Sequence, residues 1–448
     1  MSATTTNSPP AKGEYPEGGR GFLPPKLRFP EFRGAEPWRL IALKDASTPV
    51  TDRVGERKLI PVSISAGFGF VPQAEKFGRD ISGNQYQLYT VVKDGDFVYN
   101  KGNSLKFPEG CVYQLQGWGE VAAPNVFICF RLKDDYSNVF FQKCFEQNLH
   151  GKQLKKHITS GARSNGLLNI SKESFFGVEI PTPMYAEQQK IADCLSSLDE
   201  LISAQARKVE TLKTHKKGLT ERLFPCEGET QPSLRFCEFK NAEEWRESPL
   251  SNFVLSLDSG VSVNSGDSRP ANKTEFGVLK TSAVTKAKFE PAENKVVFAE
   301  NELSRLKEPV SGDTIIICRK NTPALVGANV YVESSHKNIF LSDLLWAAKP
   351  KKGVSMRFLA FILSSEKGRT ALSKLAKGSS ASMSNITKPD VLAFQVMAPS
   401  PAEQQRIADC LTSLDELITA ATQELDTLKI HKKALMQQLF PAQEEMAA

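Results

Sequence analysis

Eight cysteines are scattered through the 448 residues, at Cys111, Cys129, Cys144, Cys194, Cys226, Cys237, Cys318 and Cys410, and no two form a C-x-x-C pair. Zinc sites and disulfide frameworks are therefore both disfavoured. The five histidines, His150, His157, His215, His336 and His431, lie outside metal-ligand spacing. Neither G-x-x-x-x-G-K-[ST] nor a G-x-G-x-x-G after a strand occurs, which removes the common cradles for nucleotide phosphates. No pair of carboxylates is singled out for acid and base work, so the motifs do not support catalysis. No apolar run is long enough to span a bilayer, and the N-terminal MSATTTNSPPAKGEYPEGG lacks the apolar centre of a signal peptide. A cytoplasmic protein without a membrane partner is expected. The net charge of +6 is small for so long a chain. Any acidic partner would have to be met by local basic clusters rather than by the total.

What is present is repetition. Residues 187–225, EQQKIADCLSSLDELISAQARKVETLKTHKKGLTERLFP, return as residues 403–441, EQQRIADCLTSLDELITAATQELDTLKIHKKALMQQLFP. At a constant offset of 216, 25 of 39 positions are identical without a gap. This is an internal repeat. A second one, LRFPEFRGAEPWRLIAL at 27–43, returns as LRFCEFKNAEEWRESPL at 234–250 with an offset of 207. Each half of the chain thus opens on one motif and closes on the other, and two or more domains are expected at this length.

The long repeat predicts a helix from Glu187 to Phe224, roughly 57 Å long at about 1.5 Å per residue. Its apolar positions step by four and three in turn, at Ile191, Leu195, Leu198, Ile202, Val209, Leu212, Leu219 and Leu223, with Gln205 and Lys216 in polar slots. The second copy runs Ile407, Leu411, Leu414, Ile418, Ala421, Leu425, Leu428, Leu435 and Leu439, with Lys432 as its polar slot. This is the seam of a coiled coil. Acidic residues crowd the start of each copy and basic residues the end, so an antiparallel pair sets opposite charges side by side. Ser400-Pro401-Ala402-Glu403 has the form of a capping box and Phe440-Pro441 a stop. Cys194 and Cys410, like His215 and His431, are paired by the repeat and are expected to pack beside the seam.

Between the repeats the halves diverge, yet an outline persists. YQLYTVV, DFVYN and NVFICFRL in the first half, and TIIIC and NVYVE in the second, are β-rich runs of strand length. GDFVYNK at 95–101 and GDTIIICRK at 312–320 each send a turn into a strand that ends on a basic residue. A basic helical stretch follows in each half, near Val139 to Lys156 and near Met356 to Lys377, and then a polar loop rich in Ser and Gly. Such clusters can neutralise phosphates and offer amide and hydroxyl groups to base edges. The plainer reading of any one lysine is a solvated surface.

Taken together, the two LRF-x-EF openings with their tryptophans, the divergent halves and the two EQQ-x-IADCL helices ending in LFP resemble the specificity (S) subunit of type I restriction-modification enzymes, from Leu27 to Pro441. The resemblance implies an α/β (α+β) fold: two target recognition domains, 23–183 and 226–399, separated by two long antiparallel coiled-coil spacer helices, 184–225 and 400–441. Residues 1–22 would be a disordered lead-in and 442–448 a tail. It also implies a non-catalytic subunit that reads a bipartite, asymmetric site in double-stranded DNA and docks two modification (methyltransferase) subunits and restriction subunits. S-adenosylmethionine, ATP and Mg²⁺ would serve those partners, with no cofactor in this subunit. By position, Lys101, Asn103 and Ser104 in the first half and Arg319, Lys320 and Asn321 in the second become candidate DNA contacts. Lys152, Lys155, Lys156, Arg163 and Asn165, with Lys374 and Lys377, form a second tier. The competing readings are a coiled-coil scaffold whose globular domains bind protein and, more distantly, a nuclease acting alone.

Overall fold

A computed structural model of the chain describes residues 20–21, 25–65, 67–102, 107–158, 168–265, 269–286, 288–376 and 383–441. Contacts divide it into two compact units, Met1–Ala206 with Gln423–Ala448, and Arg207–Thr422. The expected tail and nearly all of the expected lead-in lie outside the described residues. Each unit joins one strand-rich globule to the start of one long helix and the end of the other.

The two units have the same wiring. In the first, an antiparallel sheet runs in the order Ser47–Pro49, Ile128–Leu132, Phe97–Asn100, Cys111–Gln114. Its counterpart in the second is Val254–Ser259, Leu345–Pro350, Thr314–Cys318, Asn329–Val332. A second four-stranded sheet in each holds one parallel pair, Ile60–Ser65 with Glu120–Ala123 and Phe276–Leu279 with His336–Phe340. Short strands after the LRF motifs close back onto the residues before each long helix, Arg39–Ala42 on Glu179–Thr182 and Arg246–Pro249 on Gln395–Ala398. Of the expected strands, YQLYTVV differs, because Gly83–Leu88 turns as a 3-10 helix and only Thr90–Lys93 extends.

The long helices span Tyr185–Leu223 and Pro401–Leu439, 39 residues each. Each stops one residue before the Phe-Pro step, since the residue before a proline is pushed out of helical geometry. Within each unit the two helices run antiparallel, and the polar slots reveal it. Gln205 donates to Glu424 at 2.8 Å and Lys432 pairs with Asp199 in the first unit, while Lys216 pairs with Asp415 in the second. Ile191, Leu195, Val209, Leu223, Ile407, Leu411, Leu425 and Leu439 are buried. Leu198, Ile202, Leu212, Leu219, Leu414, Ile418, Leu428 and Leu435 are half-buried. Cys194 and Cys410 are half-buried, whereas His215 and His431 are exposed and do not pack.

Each core is sealed by aromatic rings brought from both repeats. Trp38, Phe140 and Phe440 contact one another with centroids 5.4–6.1 Å apart, and Trp245, Phe358 and Phe224 repeat the triangle at 5.6–6.0 Å. Each ring removed from water contributes about 1.5–3 kcal/mol.

The basic helical stretch of each half is not continuous, as read from the sequence, but two helices. Asn138–Glu146 and Leu149–Lys155 are separated at Asn148, whose φ of 57° is left-handed. Met356–Ser364 and Glu366–Lys374 are separated at Ser365, whose hydroxyl accepts from the Gly368 N–H at 3.0 Å and caps the second helix. A side chain that offers the backbone a local bond competes with helix continuation.

Candidate nucleic-acid interface

The start of each long helix is fixed by a buried ion pair with the LRF motif. Glu187 accepts from Arg28 Nε at 2.8 Å and Nη2 at 2.6 Å, and Glu403 accepts from Arg235 Nε and Nη2 at 2.8 and 2.7 Å. Both oxygens of Glu403 are thus turned to Arg235 rather than back to Ser400, which corrects the capping-box expectation. The next residue is used alike in both units. Gln188 and Gln404 accept from the Ser137 and Ser355 N–H groups at 2.9 and 3.5 Å, which start the helices Asn138–Glu146 and Met356–Ser364. Bidentate, charge-assisted contacts of this kind set orientation as well as energy.

From that frame, one central strand in each unit runs out to a loop pair. Phe97–Asn100 leads to Lys101, whose carbonyl accepts from Leu168 N–H at 2.9 Å. Thr314–Cys318 leads to Arg319, whose carbonyl accepts from Ile386 N–H at 3.0 Å, and Lys320–Asn321 pairs with Ser384–Asn385. The strand end is thereby clamped to the polar loop returning toward the long helix. Asn103, Ser104, Arg163, Asn165 and Lys377 fall outside the described residues.

The remaining candidates differ in how free they are. Lys101 Nζ is turned inward to the Ile170 carbonyl at 2.6 Å. Lys152, Lys155, Lys156, Lys320 and Lys374 are exposed. Asn321 is engaged locally, accepting from Thr322 N–H at 2.8 Å. Arg319 is half-buried, and its Nε has no hydrogen-bond partner among the described residues. Among the described residues no group of His, Cys, Asp and Glu could hold a metal ion, and no helix is long and apolar enough to cross a membrane.

A family model described as "Type I restriction modification DNA specificity domain" matches residues 94–214 and 270–429, more than half of the chain. The chain belongs to this family. Among curated relatives, the specificity subunit of type I restriction enzyme MjaVIII from Methanocaldococcus jannaschii is 26% identical over 297 residues, 64% of this chain and 67% of that protein. The putative MjaX specificity subunit of the same organism is 26% identical over 326 residues, 68% of this chain and 67% of its own length. A crystal structure of a type I restriction-modification system S subunit from M. genitalium matches with a TM-score of 0.57 at 16% identity, covering 94% of this chain and all of that one. At this identity the likeness establishes the fold alone.

In this type I specificity subunit one further residue joins the candidates. Arg369, on the helix Glu366–Lys374, donates to the Ala324 carbonyl at 3.3 Å, and its Nη1 is buried without a partner among the described residues. Burial holds its guanidinium below the usual arginine range, although it stays charged. Both arginines therefore bring an unmatched donor to the segment 318–324. In the sequence Arg369 is not distinguished within the basic helical stretch near Met356 to Lys377, because partial burial is a property of three-dimensional position.

Proposed function

We propose that this specificity subunit reads a bipartite, asymmetric target in double-stranded DNA, one part with each unit, and serves as the dock for two modification and the restriction subunits. The observation that carries the reading is the pair of loop clamps. Equivalent main-chain bonds hold Lys101 and Arg319, while the neighbouring side chains differ, NKGNS against CRKNT. Common docking with different contact residues would give unlike half-sites. The exposed Lys152, Lys155 and Lys156 supply backbone-phosphate contacts in the first unit, and Lys320 and Lys374 do so in the second. Arg319, Asn321 and Arg369 are the candidates for base contact in the second. The chain itself performs no chemistry, and S-adenosylmethionine, ATP and Mg²⁺ belong to its partners.

A chimera tests this. Residues 232–398 are exchanged for the matching part of another specificity subunit, the complex is reassembled, and methylation sites are mapped genome-wide. One half-site should change while the other half and the gap stay as they were. Simultaneous change of both halves refutes the division of labour.

A further inference from the structure

Beside the short helix Lys172–Phe176 of the first unit lies a small cavity that the reading above leaves unused. Thr51, Arg53, Thr90, Asn125 and Lys172 supply its polar lining and Cys129 is among its apolar neighbours. Among the described residues no carboxylate lines it. Its interior is about 40 Å³, room for a few water-sized atoms but not for a nucleobase.

The two cations are placed to act there together. Residue 53 is fixed beside Thr90 by a β-bridge, and Arg53 Nη1 donates to the Leu88 carbonyl. That leaves the other guanidinium donors for the cavity. Lys172 makes no hydrogen bond or ion pair among the described residues, and Glu173, which feels its charge, does not line the cavity. Both charges reach the interior: at buried Cys129, burial and then Asp96 push the thiol up to about 12, while Lys172, the Thr90 hydroxyl and Arg53 pull it back. Asp96 is itself held in a two-point pair by Arg131 at 2.6 and 3.0 Å. What remains is a small, net positive recess with hydroxyl and amide donors.

We propose that the recess formed by Arg53, Lys172, Thr51, Thr90 and Asn125 binds a single phosphate group. Arg and Lys neutralise its charge, and the threonine hydroxyls and Asn125 amide can complete the donor set. A DNA backbone phosphate is the first source, because Lys172 lies two residues beyond Ile170, whose carbonyl holds Lys101. That source rests on the DNA-binding reading. Free inorganic phosphate is the second source and does not.

The test uses the full chain and the variants Lys172→Gln, Arg53→Gln and Lys240→Gln, the last an exposed lysine of the second unit. Inorganic phosphate is titrated by ³¹P NMR, and DNA affinity is followed across a salt series. Lys172→Gln should either lower the slope of log K against log salt by about 0.9 equally on all sequences, or abolish saturable phosphate binding while Lys240→Gln keeps it. The first outcome assigns a backbone phosphate, the second a free ion. If the unaltered chain binds no DNA, the DNA reading fails and the NMR titration alone decides this site. Unchanged slope and unchanged phosphate binding in both recess variants overturn the proposal, as does equal loss in Lys240→Gln.

Discussion

Removing Glu187 should unseat the first unit while leaving the second folded. The Arg28 and Glu187 side chains are 8% and 1% exposed. Glu187→Ala strands the guanidinium away from water and also takes the acceptor of Trp38 Nε1, which lies 3.2 Å from Glu187 Oε1. Breaking one side of a buried ion pair costs about 3–5 kcal/mol, and an orphaned indole N–H adds about 1 kcal/mol. A loss of roughly 4–6 kcal/mol is comparable to much of a domain's stability. Replacing both partners by methionine should recover most of it, because no charge is then left buried. Arg28 also donates to the Ala35 and Glu36 carbonyls, so recovery should be incomplete. Hydrogen exchange read by mass spectrometry separates the units: Arg39–Ala42 and Glu179–Thr182 should lose protection while Arg246–Pro249 and Gln395–Ala398 keep theirs. Glu403→Ala should give the mirror result. A loss below about 1 kcal/mol, or equal deprotection of both units, would refute the reasoning.

Leu198→Asp with Leu414→Asp places two carboxylates on the half-buried seam, and should cost about 2 kcal/mol or more by thermal melting; an unchanged melt would reject the seam. Burial lowers His150 from 6.5 to about 4, so the unfolded chain takes the proton first as pH falls. Its contribution is full above pH 6.5 and drains between 6.5 and about 4, by roughly 3 kcal/mol; His150→Phe should flatten that part of the urea-stability profile. Asp199 is raised by burial but lowered further by hydrogen bonds from Lys143 and Lys432, and its net shift is downward. Stability from this cluster should be present above pH 3.8 and lost on further acidification, and Asp199→Asn should remove that acid-dependent step.

The long helices, the doubled outline and the α/β class were legible because they are written in periodic and repeated residues. Seam spacing needs no knowledge of partners, and charge polarity along the helix predicts the direction that Asp199–Lys432 and Lys216–Asp415 then display. What could not be read depends on partners far away in sequence. Glu403 looked like a local capping residue, but its acceptor oxygens face Arg235, 168 residues upstream. Lys101 looked like a free cation at a strand end, yet its ammonium is drawn to the carbonyl of Ile170. The breaks at Asn148 and Ser365 were missed because apolar spacing continues across them, and only the backbone angle and the cap reveal the stop.

The uneven repetition of the sequence follows from which bonds hold the fold. Where the two units are fastened by side chains, the residue type must recur: Arg28 and Arg235 on Glu187 and Glu403, Trp38 and Trp245 against Phe440 and Phe224, Gln188 and Gln404 on the helix-starting serines. The Arg, Glu, Trp, Phe and Gln partners fall within the stretches repeated at offsets 207 and 216, and the two serines recur outside them. At the loop clamps the bonds run instead from carbonyl to N–H, Lys101 to Leu168 and Arg319 to Ile386. A main-chain bond is indifferent to the side chain beside it. The fold therefore constrains few identities at the clamp, and residues 100–104 and 318–322 can differ while the strand end stays in place. A recognition surface needs that combination, a fixed backbone carrying side chains that can change without unfolding what supports them.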